Sequence, residues 1–271
     1  MLRIVREWHN FHLYDIVFCM KKVFTLAEGA THVVKLGGWK TAFTLAEVLI
    51  TLGIIGVVAA LTMPSLITKY QEKATAAKLK KVYSVLSNAY MSAINENGEI
   101  ADWGFIAGGT TAQNSPIFYN NLKPYLKIQK DCGIQPGCLK PGNMSTLDGR
   151  SYNAYDSNTN EPKIALADGT VVWFYLSTPA CVDDNNCGNI KVDIDGKKGP
   201  YTWGKDVFVF NITPKRLYPS GNDETSFQAS CKRPSTAASN GSSCTAWVIY
   251  NENMDYLHCD DLSWNGKTKC D

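Results

Sequence analysis

The sequence predicts an α+β protein, in which a long N-terminal α-helix is packed on a β-rich globular head braced by disulfides. The helix is membrane-spanning in its first half and amphipathic in its second. Three observations predict this. An apolar run, AFTLAEVLITLGIIGVVAALTMPSL, covers residues 42–66 with Glu47 as its one charged side chain. Helical periodicity continues past that run to about Asn95. Eight of the nine cysteines lie beyond residue 130, among turn-forming residues and short β-prone stretches. The implied organisation is a leader over 1–42, a membrane-embedded half-helix over 43–67, an amphipathic half-helix over 68–97 and a head over 98–271.

A bilayer-spanning helix needs about 20 apolar residues, and the segment from Phe43 to Leu66 supplies them. A carboxylate inside such a span is costly, which marks Glu47 as a functional candidate. The leader carries six basic residues (Arg3, Arg6, Lys21, Lys22, Lys35, Lys40) and three acidic ones (Glu7, Asp15, Glu28). Removing these from the chain's 27 basic and 25 acidic side chains leaves 21 and 22, so the formal +2 becomes −1. Basic charge before the span and a near-neutral remainder agree with the positive-inside rule. They also give no basic stripe of the kind that binds nucleic acid.

Between Tyr70 and Asn95, Leu79, Val82, Leu86, Ala89 or Tyr90, and Ala93 recur at three- and four-residue spacing, the stripe of a helix with one buried face. Asn97-Gly98 supplies the stop, because glycine accepts the left-handed conformation that ends helices. In the head, residues 163–175 place two β-prone runs around Asp168-Gly169, a hairpin signal. Asp206 to Ile212 reads as another strand. Thr245 to Tyr250 and Tyr256-Leu257, either side of Asn251 to Asp255, read as a further hairpin. Long polar stretches at 142–160 and 219–243 need bracing.

The cysteines of the head are Cys132, Cys138, Cys181, Cys187, Cys231, Cys244, Cys259 and Cys270; Cys19 lies in the leader. An even number confined to the part expected to be exported indicates disulfides formed in an oxidising compartment. Pairing in sequence order closes four short loops and is preferred, although eight cysteines allow 105 connectivities. Zinc is the weaker reading, since there is no C-x-x-C pair and His258 is the one histidine beyond the leader.

The string Phe43-Thr44-Leu45-Ala46-Glu47, with small Ala42 before it, Val48-Leu49-Ile50-Thr51-Leu52 after it and Pro64 further along, resembles the signature of type IV prepilins and type II secretion pseudopilins. The resemblance implies cleavage after Ala42 by a prepilin peptidase and N-methylation of the new terminal residue Phe43. It also implies that Glu47 pairs with the terminal ammonium of a neighbouring subunit, so that a charge costly alone becomes an assembly register. Pro64 falls where members of that family place a helix-kinking proline. Two departures are Ala42, where glycine is commonest, and a leader of 42 residues. Within that leader Phe24-Thr25-Leu26-Ala27-Glu28 copies the later string but is followed by Gly29-Ala30-Thr31-His32 rather than an apolar run. The competing reading is an ordinary signal anchor whose glutamate sits near the interface.

Residues 189–208 contain Asp193-Ile-Asp195-Gly196-Lys-Lys-Gly199-Pro200-Tyr201-Thr-Trp-Gly204-Lys-Asp206. The stretch resembles the D-x-N-G-x-x-G-P-N-x-x-G-x-D segment of pilin-like heads, with Asp195 and Tyr201 in place of the two asparagines. The resemblance implies either a structural loop or a Ca²⁺ site using Asp193, Asp195 and Asp206, whose hard carboxylate oxygens suit calcium. An EF-hand is not the pattern, because the twelfth position counted from Asp193 is Gly204.

No catalytic residue is expected. The chain has no P-loop, no dinucleotide fingerprint and no H-E-x-x-H, and His258 sits beside a cysteine expected to be in a disulfide. The resemblance implies a structural subunit of a type IV pilus or type II secretion pseudopilus, with a pilin fold. Its partners are copies of itself, other pilin-like subunits, the prepilin peptidase and an inner-membrane assembly platform. Its place is a single pass in the inner membrane with the head in the periplasm, then a filament. The alternative is a membrane-anchored minor pilin or binding module, whose head recognises a surface, a ligand or a secreted substrate.

Overall fold

The computed structural model describes residues 44–177, 181 and 185–270. The leader, with Ala42 and Phe43, and the acid pair Asp183-Asp184 lie outside the described residues.

Helix α1 spans Leu45–Asn97. At its end Gly98 adopts φ +79° and gives its N–H to the Ile94 carbonyl at 3.0 Å, the expected glycine stop. The helix runs through Pro64. Two compact units meet between Leu66 and Ile67.

In the first unit the described part of α1 is exposed along nearly its whole length, with Ile50, Ile55 and Leu61 at 61%, 63% and 76% exposure. Among the described residues α1 is the one helix long and apolar enough to cross a membrane. The hydroxyls within this stretch are turned back onto the helix. Thr51, Thr62 and Ser65 donate to the carbonyls of Val48, Val58 and Thr62 at 2.9–3.0 Å, which lets them sit in an apolar segment.

The second unit is built on an antiparallel six-stranded meander of β1 (Ile128–Gly133), β2 (Lys163–Leu166), β3 (Val171–Leu176), β4 (Gly188–Asp193), β5 (Val207–Ile212) and β6 (Leu217–Pro219), in that spatial order. Strand β4 pairs along its whole length with β3 and β5, from Val171↔Asp193 to Leu176↔Gly188 and from Gly188↔Ile212 to Asp193↔Val207. The period-two alternation of the strands divides the sheet cleanly. Val172, Phe174, Ile190, Val192, Phe208 and Phe210 join one cluster with the buried stripe of α1, made by Ala76, Leu79, Val82, Leu86, Ala89, Tyr90 and Ala93. Tyr83 stacks on Phe210 with centroids 5.1 Å apart, and the Tyr90 hydroxyl donates to the Thr213 carbonyl at 2.6 Å. Helix α2 (Thr111–Leu122) sets Tyr119 against Phe174, centroids 5.3 Å apart.

The opposite face carries Val171, Trp173, Val207 and Val209 into a second cluster with Cys138, Leu139, Met144, Tyr155, Tyr201 and Trp203. These come from the polar stretch 138–161 and the β4–β5 connection. Buried Asp156 anchors that cover by accepting the N–H groups of Gly137 and Leu139, each at 2.9 Å.

The Asp168-Gly169 hairpin is present, with Gly169 at φ +83° between β2 and β3. The expected hairpin at 245–257 is not. Thr245–Asn251 is a helix, α4, closed by Glu252 in the left-handed region at φ 56°, and Asp255–Leu257 is a single 3-10 turn. Thr245 through Ile249 are all buried, so the run has no polar face, and a short continuous apolar run does not distinguish strand from helix. Helices α2 and α3 (Glu224–Ser230) and strands β1, β4 and β6 are additions to the sequence reading. The cysteines pair in sequence order, as Cys132–Cys138, Cys181–Cys187, Cys231–Cys244 and Cys259–Cys270.

Candidate functional site

Three places bear on function, beginning with Glu47. It stands at the third position of α1, and Thr44 is its partner. Thr44 donates its N–H and its hydroxyl to Glu47 Oε2, both at 2.8 Å, while the Glu47 N–H donates to Thr44 Oγ1 at 3.2 Å. This is a reciprocal capping box, which satisfies donors that the first turn of a helix leaves open. Glu47 therefore has a local task within its own chain. Its second oxygen, Oε1, has no partner among the described residues and is exposed. The box was legible as T-x-x-E at 44–47, a signal the sequence reading passed over.

The second place is the acid cluster at the open end of β4 and β5. Asp193 ends β4 and is fully buried; Asp195 follows in the turn; Asp206 precedes β5. The Ile194 N–H donates to the Asp206 carbonyl at 3.0 Å, and the Asp195 N–H donates to Asp193 Oδ1 at 3.2 Å. The turn needs Gly196, at φ +71°, where a Cβ would fall 2.4 Å from the Gly169 carbonyl oxygen. Burial, reinforced by neighbouring Asp195, pushes the Asp193 carboxyl up to about 9, so it holds its proton at neutral pH. Burial and then Asp195 push Asp206 up to about 7. The proton that Asp193 retains is shared with the Asp195 carboxylate in a side-chain hydrogen bond between the two acids. Carboxylate oxygens are the hard donors a calcium ion uses. However, among the described residues no three His, Cys, Asp or Glu side chains converge closely enough to hold a metal ion.

The third place was not foreseen. On the sheet face turned away from α1, a cavity of about 460 Å³ opens over β3, β4 and β5. The strands contribute Tyr175, Asn189, Lys191, Val209 and Asn211, and the covering loops add Tyr152, Tyr155, Asn158, Glu161 and Trp203. Its rim includes Asn153, Ser220, Ser239 and Ser242. Lys191 Nζ donates to both oxygens of Glu161 at 2.9 and 2.7 Å, and both side chains are nearly inaccessible, at 9% and 5% exposure. The ammonium also lies 4.5 Å from the Tyr155 ring centroid and 4.9 Å from that of Tyr175. Burial lowers the Lys191 pKa, and Glu161 opposes that shift.

Residues 65–245 match a family of unknown function, DUF6613. The chain belongs to the DUF6613 family. No curated protein and no solved structure matches the chain. The DUF6613 region begins at the end of the apolar segment and takes in the amphipathic part of α1, the whole sheet, the acid cluster and the polar cavity. It includes three of the four disulfides and stops before Cys259–Cys270. The cavity escapes a linear reading because its residues are gathered from separate segments, about 90 residues apart from Tyr152 to Ser242. The one local signal is polar residues where strand alternation turns them from the core, at Asn189, Lys191 and Asn211.

Proposed function

We propose that this chain is a filament subunit of the type IV pilin-like class, working in a type IV pilus or a type II secretion pseudopilus. The observation that carries the reading is the exposed apolar start of α1 with Glu47 as its one charge, leading into a stripe that packs on a disulfide-braced head. Exposed apolar area of this extent has to be covered by lipid or by other helices. A subunit held in the inner membrane and later packed helix to helix in a filament meets both conditions in turn. The role proposed is structural rather than enzymatic. A prepilin peptidase cleaves after Ala42 and N-methylates Phe43; the inner-membrane platform then stacks copies of the chain with other pilin-like subunits. Glu47 Oε1, left over from the capping box, accepts from the ammonium of a neighbour's Phe43.

The capping box makes the test of Glu47 a three-way comparison. Glu47→Gln keeps an acceptor for Thr44 but loses the charge, whereas Glu47→Ala loses both. The proposal expects both variants to insert in the membrane and both to fall at least tenfold in recovery from sheared filaments or cross-linked assemblies. Wild-type recovery by the glutamine variant would assign Glu47 to capping alone and overturn the pairing. The polar cavity favours a second reading, a minor subunit whose head binds a ligand, and that reading is compatible with the same anchor.

A further inference from the structure

We propose that the cavity on the outer face of the sheet is a binding site for a neutral carbohydrate. The charge balance of the cavity comes first. Its one acid and one base, Glu161 and Lys191, are spent on each other and nearly inaccessible, so the accessible lining is uncharged. A charged ligand would have to be desolvated with no free counter-charge to receive it, which is costly. A neutral one would not.

The lining also alternates two chemistries. Tyr152 and Tyr175 offer aromatic surface, backed by the buried rings of Tyr155 and Trp203, with Trp203 edge-on to both Tyr152 and Tyr155 at 5.9 and 6.0 Å between centroids. Between them stand amides and hydroxyls. Among the described residues Asn189 Oδ1 is buried without a hydrogen-bond partner, and the side chains of Asn153, Ser220 and Tyr175 line the cavity without one. Tyr152, Tyr175, Asn211 and Ser220 are half-buried, so solvent reaches them. An amide both donates and accepts, and so does a hydroxyl. Their natural complement is a ligand whose groups also do both, set around a ring whose C–H face lies against an aromatic side chain. A sugar has that pattern. A purely apolar ligand would strand the amides, and an anion or cation would find its partner already taken.

The walls are built to hold shape. Strands β3, β4 and β5 form the floor in continuous register, and the ion pair with its two tyrosine rings ties the covering loop at Glu161 to β4. About 460 Å³ lies within the usual range for small-molecule sites and leaves room for a mono- or disaccharide.

The inference stands apart from the filament reading, because it concerns the head alone and its test does not involve assembly. The experiment uses the full chain in a phosphocholine detergent, which carries no sugar. Glucose, galactose, N-acetylglucosamine and lactose are titrated against intrinsic tryptophan fluorescence and ligand-observed NMR, alongside glucuronate and glycine as charged probes. The expected result is saturable binding of at least one neutral sugar with millimolar Kd, weakened at least tenfold in Tyr175→Ala and in Asn153→Ala, and unchanged in Tyr250→Ala, which lies outside the cavity. Asn153 is an exposed loop residue, so its variant keeps the test alive if Tyr175→Ala fails to fold. The proposal is overturned if no neutral sugar saturates, if glucuronate or glycine binds more tightly, or if both cavity variants bind as wild type does.

Discussion

Replacing Lys191 with methionine tests how the outer face of the sheet is held. In the wild-type chain Glu161 receives two charge-assisted bonds from Lys191 and one from Asn158 Nδ2 at 3.1 Å, at 5% exposure. Methionine matches the lysine stem in length and keeps contact with Tyr155 and Tyr175, but leaves the carboxylate with one neutral hydrogen-bond donor and with the Lys163 ammonium, held on the Glu161 carbonyl, as its nearby positive charge. Breaking one side of a buried ion pair costs about 3–5 kcal/mol, most of it the uncompensated charge. For a unit of this size each kcal/mol moves Tm by about 2–4 °C, so Lys191→Met should melt about 10 °C below wild type. The assay is thermal unfolding followed by circular dichroism, with disulfides intact. Adding Glu161→Gln to Lys191→Met removes the stranded charge and should recover at least half of the loss. A single variant within about 2 °C of wild type, or a double variant no better than the single, would refute the reasoning.

The remaining predictions follow from the disulfides and the acid cluster. Removing Cys231–Cys244 by a double alanine substitution should cost about 3 kcal/mol, for a loop spanning 13 residues, read as a lowered denaturant midpoint. Because Asp193 is raised to about 9 when folded, against an ordinary value near 4, its contribution is fully present below about pH 4 and is lost as pH rises towards 9. With a chelator present, stability should therefore fall between pH 5 and 8 at up to about 1.4 kcal/mol per unit from this group, and Asp193→Asn should flatten that slope; parallel curves would contradict it.

How much could be read from the chain follows the range of the interactions. The α1 stripe from Leu79 to Ala93 was legible because helical periodicity repeats over many turns, and the Asp168-Gly169 hairpin because its turn chemistry is local. Disulfide order was legible as a preference, since short separations are the easiest to close. The helix at 245–251 was misread because every residue from Thr245 to Ile249 is buried, which erases the pattern that distinguishes the two periods. The cavity could not be assembled from sequence at all. Lys191 reads as a surface lysine until Glu161 is seen 2.7 Å from it, 30 positions earlier in the chain. Of the acid cluster, Asp193, Asp195 and Asp206 could be named from the sequence, but not the proton that Asp193 retains, which depends on burial. Glu47 was singled out for its charge while its bonds to Thr44, three residues away, were overlooked.

The central claim, that the apolar helix becomes the assembly segment of a processed filament subunit, is tested most directly by the N-terminus of the protein recovered from membranes. Mass spectrometry of the N-terminal peptide should give a chain beginning at N-methylated Phe43. A chain that retains Met1 or Met20, or begins at Phe24, would contradict it.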